Sequence, residues 1–186
     1  MEKAAVFIDA GHYHYRLYGK WRIDYKKLIE YFENKGYLAT DIFYYEGIPS
    51  KSSFFHTHPN ATYNDINLVK KKKRGYFRKL RSFGFVVRYK PVRRIYDKEV
   101  SQYKLKCNFD VELTMDVMDV LSNKNVDVFI LCSGDGDFVK LLRHVKNRGK
   151  KIVVVGLKRH TNDELAETAH NVIFLEVIQQ KIEYRQ

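Results

Sequence analysis

Five apolar residues in a row, Val128-Phe129-Ile130-Leu131-Cys132, run straight into Ser133-Gly134-Asp135-Gly136-Asp137. An apolar run without alternation predicts a strand buried on both faces, and the glycines let the chain turn sharply after it. Phe138, Leu141, Leu142 and Val145 then recur at the spacing of one helical face, which ends before Gly149. The rest of the chain repeats this alternation. Residues 4–8 predict a short buried strand ending at Asp9, and residues 13–18 a short helix or irregular segment. Asp24 caps a helix over 25–34, with Leu28, Ile29 and Phe32 on its apolar face and Gly36 as its stop. Residues 38–45 form a second strand and 47–60, with two prolines and three serines, a loop.

A long helix is predicted over 64–83, with Ile66, Val69, Phe77 and Leu80 inward and Gly75 weakening its middle. Residues 85–89 are a third strand closed by Pro91, and 92–103 leaves room for a short hairpin exposing Arg93, Arg94 and Tyr96. Asp110 opens a helix reaching Leu121, residues 127–132 and 151–155 are the fourth and fifth strands, and Thr161-Asn162-Asp163-Glu164 is a capping box. Residues 172–177 are a sixth strand, followed by a polar helix or tail. Strands alternating with helices predict an α/β fold of three layers: a mostly parallel sheet of about five or six strands, helices on both faces. At 186 residues the chain is read as one domain, with a core over 4–157 completed by 161–177.

Composition narrows the partners. Lys and Arg number 34 against 22 Asp and Glu, a net charge of +12, which points to a polyanion and to nucleic acid before membrane. No apolar run approaches the roughly 20 residues that a membrane span needs. The N-terminal residues enter a strand directly, without a signal-peptide pattern, and Cys107 and Cys132 lack CxxC spacing. Both features predict reduced thiols and a cytoplasmic protein. Positive charge is dense from Lys70 to Arg94, where Lys70, Lys71, Lys72, Lys73, Arg74, Arg78, Arg81, Arg88, Arg93 and Arg94 are candidates for holding a phosphate backbone. Any one lysine of that run reads equally well as a solvated helix face. Fourteen tyrosines leave two uses open, an RNA-stacking surface and a homodimer interface.

The acids are placed differently from the bases. Asp9 ends the first strand, Asp135 and Asp137 follow the fourth, and Asp110 starts a helix that enters from the same side. In a doubly wound sheet the first strand neighbours the fourth across the switch point, which brings these carboxylates together. Asp137 alone also reads as a helix cap, and Glu112, Asp116 and Asp119 as one solvated helix face, with Asp116 left open. Clustered carboxylates repel one another unless a cation neutralises them, and an all-oxygen set suits Mg²⁺ or Mn²⁺ rather than zinc. His12 and His14, and His56 and His58, alternate as on strands and are rival metal candidates without a third ligand at zinc spacing.

Three blocks carry a family resemblance: Phe7-Ile8-Asp9-Ala10-Gly11-His12, then Lys106 to Val111 with Leu113 and Asp116, then Ser133-Gly134-Asp135-Gly136-Asp137-Phe138. Together they resemble the NYN domain, the LabA-like branch of the PIN-like nuclease superfamily, over roughly residues 4–157. The resemblance implies a Rossmann-like PIN fold and Mg²⁺- or Mn²⁺-dependent cleavage of RNA. It assigns Asp9, Asp110, Asp135 and Asp137 to metal and catalysis and matches Asp116 to a further frequent acid; Ser133, placed to bond a phosphate or a ligand carboxylate, and His12, beside the Asp9 turn, are additional candidates. The chain departs from the family pattern at His12, where Asn is usual, and at Asn108, where Gly is common.

The reading that follows is an endoribonuclease acting on single-stranded RNA. A non-catalytic RNA-binding or regulatory protein on the same scaffold is its alternative, favoured by His12. A phosphatase of the haloacid dehalogenase type would carry a second Asp where Gly11 stands.

Overall fold

Strand β1 (Glu2–Asp9) has no wet face: Ala4, Ala5, Val6, Phe7 and Ile8 are at most 1% exposed. The structure is a computed structural model describing residues 1–17 and 21–184, the side chains of residues 15 and 16 excepted. Part of the segment expected over 13–18 lies outside these described residues. The elements after β1 are α1 (Ala10–Arg16), α2 (Tyr25–Asn34), β2 (Tyr37–Pro49), α3 (Lys51–Thr57), α4 (Tyr63–Ser82), β3 (Phe85–Asp97) and β4 (Gln102–Lys106). There follow α5 (Asp110–Asn123), β5 (Val128–Cys132), a 3₁₀ turn at Gly136–Phe138, α6 (Val139–Asn147), β6 (Lys151–Gly156), α7 (Asp163–Thr168), β7 (Asn171–Phe174) and α8 (Leu175–Ile182).

Seven strands form one sheet in the order β4-β3-β2-β1-β5-β6-β7, parallel throughout except for the β3–β4 pair. Alternation along β1 feeds two cores. Ala4, Val6 and Ile8 join a cluster with α1, α2, α4 and α8, while Ala5 and Phe7 join one with α5, α6 and α7. The Phe7 ring stacks on Phe43 of β2 and Phe129 of β5, at 5.1 and 6.0 Å between centroids. Three adjacent strands are thereby tied on one face. The direction of travel reverses between β1 and β5, and their register pairs Ile8 with Cys132, so Asp9 and Ser133 leave the sheet side by side.

Four expectations need correction. The segment 47–60 is not all loop, because β2 runs on to Pro49 and Ser50 then caps α3 in a capping box with Ser53. β3 passes through Pro91 to Asp97, since β4 pairs only from Arg93 onward and the outer edge at Pro91 needs no N–H. β7 ends at Phe174, and Leu175, Ile178 and Ile182 turn into the core as the face of α8 rather than as strand. Val69 faces solvent at 38% exposure, while Gly75 sits within an unbroken α4. Among the described residues no helix is long and apolar enough to cross a membrane.

Buried polar bonds lock α5 onto the sheet. Asp116 accepts from the Tyr45 hydroxyl at 2.8 Å and from Arg88 Nε and Nη2 at 3.1 and 2.7 Å, joining α5 to β2 and β3. Removing the carboxylate leaves a buried hydroxyl and a half-buried guanidinium without their partner. Asp116→Ala should cost about 1–3 kcal/mol, read as a lower urea midpoint with an unchanged m-value. A midpoint equal to that of the native chain would show that the pair is solvated and contributes nothing.

Candidate active site

Asp9 closes β1 at the switch point and caps α1, its Oδ1 accepting from the His12 N–H at 3.4 Å. The Ser133 hydroxyl, fully buried at the end of β5, donates to the other carboxylate oxygen at 3.3 Å. Asp135 accepts from the Asp137 N–H at 3.0 Å, which starts the 3₁₀ turn leading into α6. From the third direction Asp110 opens α5, bonded to the Asn108 side-chain amide.

The loop between β5 and α6 has no room for side chains at its glycines. A Cβ at Gly134 would lie 2.2 Å from the His160 carbonyl oxygen, and one at Gly136 would lie 2.8 Å from Asn162 Nδ2. The Gly134 N–H donates to His12 Nε2 at 3.2 Å and its carbonyl accepts from the Asn162 N–H at 3.0 Å. Accepting at Nε2 means that this nitrogen carries no proton. His12 thus supports the loop that carries Asp135 from beneath, which is how the chain uses the position where the NYN pattern has Asn.

The fold crowds the acids against their mutual repulsion. Burial raises the Asp9 carboxyl to about 6, and the Asp110 and Asp135 carboxylates add to the rise against the His12 and Ser133 hydrogen bonds. Burial likewise raises Asp110, with Asp135 and Asp137 pushing the same way and Asn108 and Lys106 opposing them. The four aspartates from three distant segments share one neighbourhood. The contrast with the other buried acids is sharp: Asp116 is paired with Arg88 and Glu46 with Lys73, whereas among the described residues no ion pair reaches Asp9.

The donor set is all oxygen, which fits a hard divalent cation in chemistry and in charge. Among the described residues, however, no three His, Cys, Asp or Glu side chains already stand as a ready ligand group.

The remaining candidates divide. Both oxygens of Asp116 are taken by Tyr45 and Arg88, so Asp116 and Arg88 are engaged with each other. Lys73 turns inward to Glu46 at 2.6 Å, away from its neighbours in the basic run. Lys70, Lys71, Arg74, Arg78 and Arg81 line one cavity of about 600 Å³ with Tyr89, and Lys72 is exposed outside it. Arg93 and Arg94 lie exposed on the β3–β4 hairpin, with Arg94 4.0 Å above the Tyr103 ring.

The histidine pairs are not on strands: His12 and His14 sit on α1, His56 is in the last turn of α3 and His58 caps its C-terminus. His12 faces the loop and His14 faces Glu46, while His58 stacks on Phe54 and His56 meets Tyr103 edge-on. One site residue was missed from sequence: Lys106, at the end of β4, acts on Asp110 four residues later. Its signal was the short spacing to that acid.

Asp9 gives a prediction with a definite sign. Its folded value lies above the ordinary 3.8, so the folded chain holds the proton more tightly. The penalty for ionising it is absent below about pH 4 and complete above about pH 6. Asp9→Asn should therefore stabilise the metal-free chain by up to about 3 kcal/mol at pH 7.5, with the gain vanishing towards pH 4. Equal stability of variant and native chain at pH 7.5 would contradict the crowding. For the loop, Gly134→Ala should lower the melting temperature by several degrees, because backbone and not a flexible side chain meets the new methyl.

Comparison with known proteins places this geometry. The NYN domain matches residues 3–176. The chain is 24% identical over 184 residues to Low amplitude and bright protein LabA of Synechococcus elongatus, covering 97% of this chain and 88% of that protein. It is 34% identical over 64 residues to an uncharacterized protein of Methanocaldococcus jannaschii, a match spanning 34% of this chain and 27% of the relative. A crystal structure of a protein of unknown function from Vibrio parahaemolyticus superposes with a TM-score of 0.68 at 26% identity, over 98% of this chain and 96% of that one. The seven-stranded sheet, the aspartates at its switch point and the match along nearly the whole chain agree: this protein belongs to the NYN domain family, a nuclease-type branch of the PIN-like superfamily.

Proposed function

We propose that the chain is a ribonuclease that hydrolyses phosphodiester bonds of single-stranded RNA with Mg²⁺ or Mn²⁺ held by Asp9, Asp110, Asp135 and Asp137. The observation that carries this reading is Asp9, a partly buried carboxylate that no side-chain cation pairs with among the described residues and that two acids from distant segments push up further. A binding-only protein with a net charge of +12 gains nothing from concentrating negative charge where phosphate must approach. When bound, a divalent cation supplies charge neutralisation and Lewis acidity at the scissile phosphate.

The chain's own groups do the rest. Ser133 orients Asp9 through its hydroxyl, and His12 fixes the backbone of the Asp135 loop. The β3–β4 hairpin leads directly into Asp110 and carries Arg93, Arg94, Lys104 and Lys106 beside Tyr96 and Tyr103. Cations interleaved with exposed aromatic rings suit an unpaired strand, whose bases stack while its phosphates are neutralised. The hairpin therefore delivers the strand to the acids, and the α4 groove offers further backbone contacts.

Labelled single-stranded RNA incubated with Mn²⁺ separates cleavage from binding. The native chain should cut it, and Asp135→Asn should lose cleavage by about 100-fold or more while still shifting the RNA in a gel. Full cleavage by Asp135→Asn contradicts the assignment, and a shift without cleavage by the native chain establishes the regulatory alternative. Replacing Arg93 and Arg94 with Ala should weaken binding and reduce the salt dependence by about 0.7 per lost phosphate contact.

A further inference from the structure

A second buried carboxylate lies on the opposite face of the sheet. Tyr45 of β2 pairs with Asp9 and faces α5, and the next residue, Glu46, points the other way. Glu46 is 5% exposed. Its Oε2 accepts from the Tyr44 hydroxyl at 2.7 Å, and its Oε1 meets His14 Nδ1 at 2.8 Å and Lys73 Nζ at 2.6 Å. Burial pushes this carboxyl up, but the His14 and Lys73 partners outweigh it and hold it at about 2.

A clamp between β2, α1 and α4 would explain that network if it were sealed. It is not. His14, Tyr25, Lys73 and Tyr76 are also the floor of a cavity of about 970 Å³ between α2 and α4. That volume is at the upper end of small-molecule sites. Its walls are aromatic: Trp21, Phe83 and Tyr184. Phe83 and Tyr184 are 39% and 48% exposed, so both rings reach solvent, while Trp21 is partly buried against the core.

Charge at the mouth is positive. Asp24 is occupied in capping α2, accepting from the N–H groups of Lys26 and Lys27, and Lys73 is spent on Glu46. Arg22 and Lys79 stand at the rim with Lys26, which also pairs with Glu30 at 3.4 Å, and Lys26 and Lys79 lie 5.5 and 5.9 Å from the Phe83 ring centroid. An anion and a flat ring are thus recognised at one place.

We infer that the cavity between α2 and α4 is a binding site for a nucleoside phosphate, its base stacked among Trp21, Phe83 and Tyr184 and its phosphate held by Arg22, Lys26 and Lys79. The ring and the phosphate belong to one ligand, either a free nucleotide or the terminal nucleotide of a strand. This site is separate from the aspartates and does not depend on their reading.

Trp21 is the sole tryptophan, so its fluorescence reports the site directly. Nucleoside 5′-monophosphates titrated in the presence of a chelator should change it saturably, with Kd below about 1 mM. Unphosphorylated nucleosides should bind at least about tenfold more weakly. The double variant Arg22→Glu, Lys79→Glu should weaken the monophosphates to a similar degree while keeping its melting temperature, because both side chains are exposed. Asp135→Asn should titrate like the native chain, whatever its cleavage activity. A trinucleotide with a 5′-phosphate that binds while free monophosphates do not assigns the ligand to a strand end. No saturable change with either ligand up to about 10 mM overturns the inference. So does a change that the double variant retains in full, or one lost only in Asp135→Asn.

Discussion

Everything at the site depends on putting a carboxylate at the end of a strand that water cannot reach. β1 is sealed on both faces from Ala4 to Ile8, so Asp9 leaves the sheet from an apolar environment, partly buried, with a backbone N–H and the Ser133 hydroxyl donating to it. Two hydrogen bonds do not offset burial beside other acids, which is why the group sits near 6 rather than in its ordinary range. Fold and site are in tension here. The β1–β5 register that completes the core is the same register that crowds Asp9 against the Asp135 loop.

The chain resolves that tension elsewhere and leaves it standing here. Adjacent residues of β2 meet two buried carboxylates on opposite faces, and each has its cation: Tyr45 beside Asp116 with Arg88, Glu46 with Lys73. A protein able to supply a guanidinium and an ammonium to those positions has the means to supply one to Asp9. Its bases are instead concentrated on the hairpin before Asp110 and along α4. Stability and function thus divide the charged residues between them.

How much of this was legible in the sequence follows from how local each signal is. The strand ends at Asp9 and Asp135 were marked by an abrupt change from apolar to acidic and glycine-rich, and the sheet rule placed them together. Pro91 misled because proline forbids a strand only where its N–H is required, and that depends on where a neighbour begins. The run 172–177 is apolar enough for strand, but the burial of Ile178 and Ile182 that makes α8 a helix is decided by the core. Glu46 gave no sign: a glutamate in an aromatic strand reads as the solvent-facing alternate, and its partners lie on α1 and α4. Lys73 is indistinguishable in sequence from Lys72, and only helical phase sends it inward.

Asp9, Asp110, Asp135 and Asp137 are proposed to converge on a divalent cation. The most direct measurement is a crystal of the protein soaked in Mn²⁺, with anomalous diffraction collected near the manganese edge. An anomalous peak is expected among these carboxylates, within the roughly 2.0–2.6 Å of their oxygens that hard divalent cations keep. Density without manganese there at saturating concentration, with Asp110 still bonded to Asn108, would contradict it.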